Sequence, residues 1–133
     1  MVHRFPVRVY YEDTDLGGIV YYANYLKFIE RGRSEWVRGC GIDQSRLKGD
    51  TGIIFAVRRV EADYLTPARF DDLLEVRTSL QSATGARIVV RQEVWRDDQQ
   101  LFVAVVTLVC LTQGGRATRL PEAMRAALDR VPG

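Results

Sequence analysis

Residues 10–33 read Y-Y-E-D-T-D-L-G-G-I-V-Y-Y-A-N-Y-L-K-F-I-E-R-G-R, and they place a carboxylate, two adjacent glycines and a helix start within a few residues of one another. Asp15 can act as a base or a nucleophile, and Gly17 and Gly18 permit a tight turn. The exposed N–H groups where the helix begins can receive a developing oxyanion. From about Ala23 the period becomes helical. Tyr22, Tyr25, Leu26, Ile29, Gly32, Trp36 and Val37 share one face, while Lys27, Arg31 and Arg38 lie largely elsewhere. The spacing predicts one long helix closing at Gly39 or Gly41. Gly32 on the apolar stripe gives up about 1 kcal/mol of helix propensity relative to Ala, so a neighbour should press on the backbone there. A sheet wrapped around the helix would do so.

Working outward, Phe5, Val7, Val9 and Tyr11 alternate with Arg4, Pro6, Arg8 and Tyr10, the period of a first strand that the glycine turn ends. Further strands are expected at about Ile53 to Leu65, Leu74 to Ala83, Ala86 to Arg96 and Leu101 to Thr112, separated by T-P-A-R-F-D-D, A-T-G and R-D-D-Q-Q. In the third strand Leu74, Val76, Thr78 and Leu80 mark the buried face. The last, L-F-V-A-V-V-T-L-V-C-L, is apolar on both faces, as in a central strand covered by the helix on one side and by a loop or second subunit on the other. The tail L-P-E-A-M-R-A-A-L-D-R-V reads as a short C-terminal helix with Pro121 in its first turn. The result is α+β, a curved antiparallel sheet of about five strands around one long central helix. The edges and outer face of such a sheet need covering. A homo-oligomer formed by edge-to-edge strand pairing, with further assembly through the outer faces, is expected.

At 133 residues the chain is most simply one domain, 1–133, with 47% hydrophobic and 27% charged content. No apolar run approaches a bilayer span, and M-V-H-R-F-P-V-R-V lacks a signal-peptide core, so a cytoplasmic location is expected. The net charge is only +2 and the arginines are dispersed among acids, which argues against nucleic acid as a partner. Lys27 and Lys48 are the only lysines, so an anionic ligand would meet arginine or backbone N–H groups. Cys40 and Cys110 stand far apart and read as packed, reduced thiols.

Elimination narrows the chemistry. His3 is the sole histidine, and it stands before the first strand. Ser-His-Asp and Cys-His catalysis and zinc binding are therefore poorly supported. E-D-T-D-L-G-G starts like a calcium loop but has Gly17 at the third ligand position and Asn24 where a bidentate Glu belongs. No phosphate loop is present, and no cofactor or metal is expected. A carboxylate facing a helix N-terminus across a glycine turn suits acyl transfer from a thioester, whose thiolate leaves without strong protonation. The spacing equally allows Asp13 and Asp15 merely to cap turns and complement the helix dipole.

Tyr10 to Arg33 closely resembles the N-terminal signature of hotdog-fold acyl-CoA thioesterases of the 4-hydroxybenzoyl-CoA thioesterase type, in particular the YbgC-like, Tol-Pal-associated branch. The similarity extends through G-I-D-Q-S-R-L at residues 41–47, A-D-Y-L-T-P-A-R-F-D-D-L-L-E-V at residues 62–76 and T-R-L-P at residues 118–121. The resemblance implies hydrolysis of an acyl-CoA to a carboxylate and free CoA. Asp15 matches the catalytic aspartate, which acts as nucleophile through a mixed anhydride or as general base for water. The Tyr22 backbone N–H matches the group that polarises the thioester carbonyl, and Gly18 belongs to the same catalytic turn. It also implies a dimer or homotetramer of hotdog subunits.

That branch usually reads V-Y-H-A-N-Y, whereas this chain reads V-Y-Y-A-N-Y, with Tyr22 in place of the histidine. The phenol is then expected to line the acyl pocket with Tyr25. Tyr10 and Tyr11 are expected to divide, one packing and the other flanking the site. Glu30 either pairs with Arg33 or reaches a neighbouring subunit's site. Arg69 is either a solvated loop residue or a CoA contact. The alternative to an enzyme is a non-catalytic binding protein for acyl carrier protein or an envelope complex. A related hydrolase reading takes its acyl group from acyl carrier protein.

Overall fold

The computed structural model describes residues 2–130. The ends of the expected 1–133 domain, and Val131 of the tail helix, lie outside them. Five antiparallel strands form one sheet in the order β1-β3-β4-β5-β2. They are β1 (His3–Arg8), β2 (Ile54–Tyr64), β3 (Leu73–Thr84), β4 (Arg87–Arg96) and β5 (Gln99–Leu111). The long helix α1 (Asn24–Gly39) packs across β1, β3 and β4, and two shorter helices follow, α2 (Gln44–Thr51) and α3 (Glu122–Asp129). This is the α+β hotdog arrangement, with β5 an interior strand between β4 and β2, buried on one face and half-buried on the other.

The glycine in the stripe of α1 locates the closest packing. A Cβ on Gly32 would lie 2.5 Å from Val76 Cγ1, so β3 does press on the helix backbone there. The buried face of α1 comprises Tyr25, Phe28, Ile29, Gly32, Trp36 and Val37. Two expected members, Tyr22 and Leu26, are instead 61% and 42% exposed, and Phe28, not expected, is fully buried. The stripe follows the i, i+3, i+4, i+7 positions from Tyr25, which turns Leu26 toward the uncovered flank.

Opposite the stripe, β3, β4 and β5 bury Val76, Val90, Val94, Phe102, Val106 and Cys110. Two polar side chains share this core, Thr78 and Gln92. Gln92 Nε2 donates to the Ile29 carbonyl at 2.8 Å and to Thr78 Oγ1 at 2.9 Å, and its Oε1 accepts from Arg33 Nη1 at 2.9 Å. The buried amide is thus fully engaged, as a low-dielectric interior requires. Burial draws the Arg33 pKa below its ordinary value, against the opposing charge of Glu30.

Several boundaries differ from expectation. β1 ends at Arg8, not Tyr11, because the acidic cluster turns the chain: Asp13 Oδ2 accepts the Tyr10 N–H at 2.7 Å and Tyr11–Asp13 form one 3₁₀ turn. α2 was not expected. Asp43 caps its start by accepting the Arg46 N–H at 3.0 Å, and Gly52 closes it at φ 74°. Leu47 is its one large apolar residue, so no apolar period announces it. Pro121 stands at the cap of α3, just before its first turn. His3 is the first residue of β1, not a residue before it. Cys110 is buried and Cys40 partly so, and burial pushes the Cys110 thiol up to about 11.

Candidate active site

The acidic segment folds into a small hairpin. Thr14 bridges Val20, the Asp15 N–H donates to the Ile19 carbonyl at 2.9 Å, and the Gly18 N–H donates to the Asp15 carbonyl at 3.0 Å. Gly18 sits at φ 76°, a conformation open to glycine. A Cβ on Gly17 would come within 3.2 Å of Asp15 Oδ1, which instead accepts the Gly17 N–H at 2.9 Å. The two glycines therefore shape the tip, and Gly18 serves as turn former with its own N–H already used. Asp15 itself is exposed, and its Oδ2 makes no hydrogen bond among the described residues. The hairpin docks on the loop after β2: the Val20 N–H donates to the Ala68 carbonyl at 2.8 Å, and Ile19 bridges Arg69.

A second set of bonds fixes the helix start beside this hairpin. The Asp13 carbonyl accepts the Tyr21 N–H at 2.9 Å and Asn24 Nδ2 at 3.0 Å. The Tyr21 carbonyl accepts the Asn24 N–H at 2.8 Å, and the Tyr22 carbonyl accepts the Tyr25 N–H at 3.4 Å. These bonds extend the helical pattern back to Tyr22, before the first residue of α1. The N–H groups of Tyr22 and Ala23 have no backbone acceptor among the described residues. They are the orphan donors of a helix N-terminus, where the macrodipole favours negative charge.

An apolar cleft of about 230 Å³ opens at this point, walled by Val20, Tyr22, Tyr25, Tyr64, Leu65 and Pro67 among others. Tyr25 forms its floor: the ring is 3% exposed and stacks on Phe102 with centroids 5.1 Å apart. Its hydroxyl accepts the Ala68 N–H at 2.9 Å. Tyr64 stands edge-on to Tyr22, Tyr25 and Phe102. Desolvation raises the pKa of both Tyr25 and Tyr64, so both phenols stay neutral. A larger hollow of about 510 Å³ at the junction of α1 and α2 is lined by polar residues such as Ser34 and Gln44, at the opposite end of α1.

The sequence candidates separate accordingly. Tyr22 and Tyr25 line the cleft, Asp15 and Gly18 stand on the hairpin whose Ile19 and Val20 join its wall, and the Arg69 backbone bridges that hairpin while its side chain is exposed. Asp13 is a structural cap, so the turn-capping reading fits it well. Tyr10 and Tyr11 do not divide as expected, since they are 62% and 82% exposed, with Tyr11 meeting only Phe70 edge-on. Glu30 and Arg33 form no ion pair: Glu30 Oε1 accepts from Ser34 Oγ at 2.9 Å and Arg33 is drawn to Gln92. His3 lies by Gly39, the far end of a helix about 24 Å long. The residues that sequence reading missed are Tyr64 and Asn24. Tyr64 closes a strand, in A-D-Y-L-T-P, and only its position opposite Phe102 brings it to the cleft.

Among the described residues no group of three His, Cys, Asp or Glu could hold a metal ion. No helix among them is long and apolar enough to cross a membrane.

Comparison with known proteins is consistent along the chain. Residues 17–103 match the model of the thioesterase superfamily. The acyl-CoA thioesterase YbgC of Haemophilus influenzae is 40% identical over 128 residues, covering 96% of this chain and 94% of that protein. The acyl-CoA thioester hydrolase YbgC of Escherichia coli is 42% identical over 109 residues, 81% of each chain. A crystal structure described as a probable thioesterase from Bartonella henselae superposes with a TM-score of 0.87 at 36% identity, covering 91% of this chain and all of that one.

Proposed function

The chain belongs to the thioesterase superfamily and to its YbgC-like branch, and from that premise we propose that it hydrolyses acyl-CoA thioesters to a free carboxylate and CoA at the α1 N-terminus. The observation that supports this reading is the docking of the Asp15 hairpin, with one carboxylate oxygen unbonded among the described residues, beside a helix start whose Tyr22 and Ala23 N–H groups lack backbone acceptors and which borders an aromatic cleft. The thioester carbonyl enters against the two donors and the acyl group lies on Tyr22, Tyr25 and Tyr64. Asp15 Oδ2 then either attacks the carbonyl carbon and expels the thiolate, leaving a mixed anhydride that water cleaves to the free acid and Asp15, or takes the proton of a water that attacks the same carbon, the thiolate leaving as the tetrahedral intermediate collapses. The negative charge that develops on oxygen falls on the helix N-terminus, where one such donor is typically worth about 3–4 kcal/mol of barrier.

The cleft of one chain is shallow, and its rim includes Tyr22, Tyr64 and Leu65 at 61%, 46% and 53% exposure. The neighbouring edge strand β2 adds exposed Ile54, Val57 and Val60. Apolar side chains along an unpaired strand edge favour pairing with a second copy, so the working form is a homo-oligomer joined at β2. A cytoplasmic location, where CoA esters are made, belongs to the same proposal. Thiol release should be assayed over aromatic, short-chain and long-chain acyl-CoAs. Turnover of at least one class is expected. Tight binding of acyl carrier protein with no thiol release from any member would favour the non-catalytic alternative.

A further inference from the structure

We infer that Tyr64 is a positioning residue for the Ala23 N–H, one of the two oxyanion donors, acting through its hydroxyl on the Tyr22–Ala23 peptide; this rests on the hydrolase reading above. The Tyr64 hydroxyl donates to the Tyr22 carbonyl oxygen at 3.1 Å, across 42 residues of sequence. That carbonyl's other bond, from the Tyr25 N–H, is 3.4 Å long, so both bonds are longer than is usual for their kinds, and the phenol adds a second donor where the helix's own bond is weak. In a trans peptide the N–H points opposite to the C=O, and fixing the Tyr22 carbonyl therefore aims the Ala23 N–H out of the helix start. A hydrogen bond accepted by the carbonyl also polarises the same amide and strengthens its N–H as a donor.

Tyr64 reaches this peptide from another element. It ends β2 opposite Phe102, and its ring stands edge-on to both Phe102 and Tyr25 at centroid distances of 5.0 and 5.4 Å. Simple ring packing would not require the hydroxyl. At 46% exposure the ring is a poor core residue, and the bond to Tyr22 supplies a reason for a tyrosine in this place. Partial desolvation, with the neighbouring Tyr22 and Tyr25 phenols, raises its pKa further above neutrality, so the hydroxyl carries the proton it donates.

The test is Tyr64→Phe in the full chain, which keeps the ring and removes only the hydroxyl. With the acyl-CoA that turns over fastest, kcat should fall about tenfold, the worth of one hydrogen bond, while KM stays within about twofold. In ¹H–¹⁵N spectra of the ligand-free protein the Ala23 amide should shift, because its peptide has lost an acceptor bond. An unchanged kcat or an unmoved Ala23 resonance overturns the inference. If the wild type releases no CoA from any ester, the hydrolase reading fails separately, and the Ala23 resonance alone then decides whether Tyr64 holds that peptide.

Discussion

Helix α1 carries two surfaces that obey different rules. From Phe28 to Val37 its apolar side chains lie against the sheet, Gly32 admits Val76, and the buried Gln92 amide has its bonds to Ile29, Thr78 and Arg33 satisfied. At its first turn the opposite holds: Tyr22 and Leu26 face outward, two N–H groups lack backbone acceptors and a carboxylate stands nearby with an oxygen to spare. The first region minimises free energy. The second leaves polar groups available and apolar rings uncovered, which packing alone would not maintain, and that contrast separates scaffold from site.

Four substitutions sharpen the contrast, from the largest expected effect to the smallest. Gly32→Ala should lower the unfolding free energy in denaturant by about 1–3 kcal/mol through overpacking against Val76, and Val76→Ala in the same protein should cost less than it does alone. Equal stability of Gly32→Ala and wild type would remove the close contact from the scaffold. Gln92→Leu strands the Thr78 hydroxyl and the Arg33 guanidinium, so a loss of about 1–2 kcal/mol is expected in the same titration, with CoA release per folded molecule unchanged. Asp13→Asn still offers an oxygen to the Tyr10 N–H, so stability should change by less than about 1 kcal/mol and turnover by less than about fivefold. Tyr22→Phe should leave kcat within about threefold, because Tyr22 acts on the carbonyl through its backbone. A tenfold loss of kcat would place the phenol in the chemistry.

The scaffold half was largely legible in the sequence. The period change at Ala23 gave α1, alternation gave β3, and Gly32 in an apolar stripe announced a close neighbour that proved to be Val76. Where legibility failed, the cause was a bond between distant residues. Glu30 lies one turn from Arg33 and so suggests an ion pair, but a buried amide 59 residues away holds Arg33. α2 escaped notice because its start and stop lie in Asp43 and Gly52 and it has no buried residue to give a period.

The site half was read differently. Asp15 and the glycine turn stood out by residue type, and the family resemblance placed the oxyanion donor at Tyr22. Each carboxylate accepts one turn N–H, Asp13 from Tyr10 and Asp15 from Gly17, and what sets Asp13 apart is its carbonyl, which ties the hairpin to the helix start. Tyr64 was invisible because only the sheet register carries it to the helix start. Active sites assembled from separate elements hide their supporting residues in this way.

The most direct test of thioester hydrolysis at the start of α1 is the rate of CoA release by Asp15→Asn relative to wild type, measured on folded protein of unchanged oligomeric state. The amide oxygen can still accept the Gly17 N–H, so the hairpin should persist. Turnover roughly 10²–10⁴-fold lower is expected if the carboxylate supplies the base or nucleophile. Near-normal turnover in a folded Asp15→Asn protein would contradict the assignment.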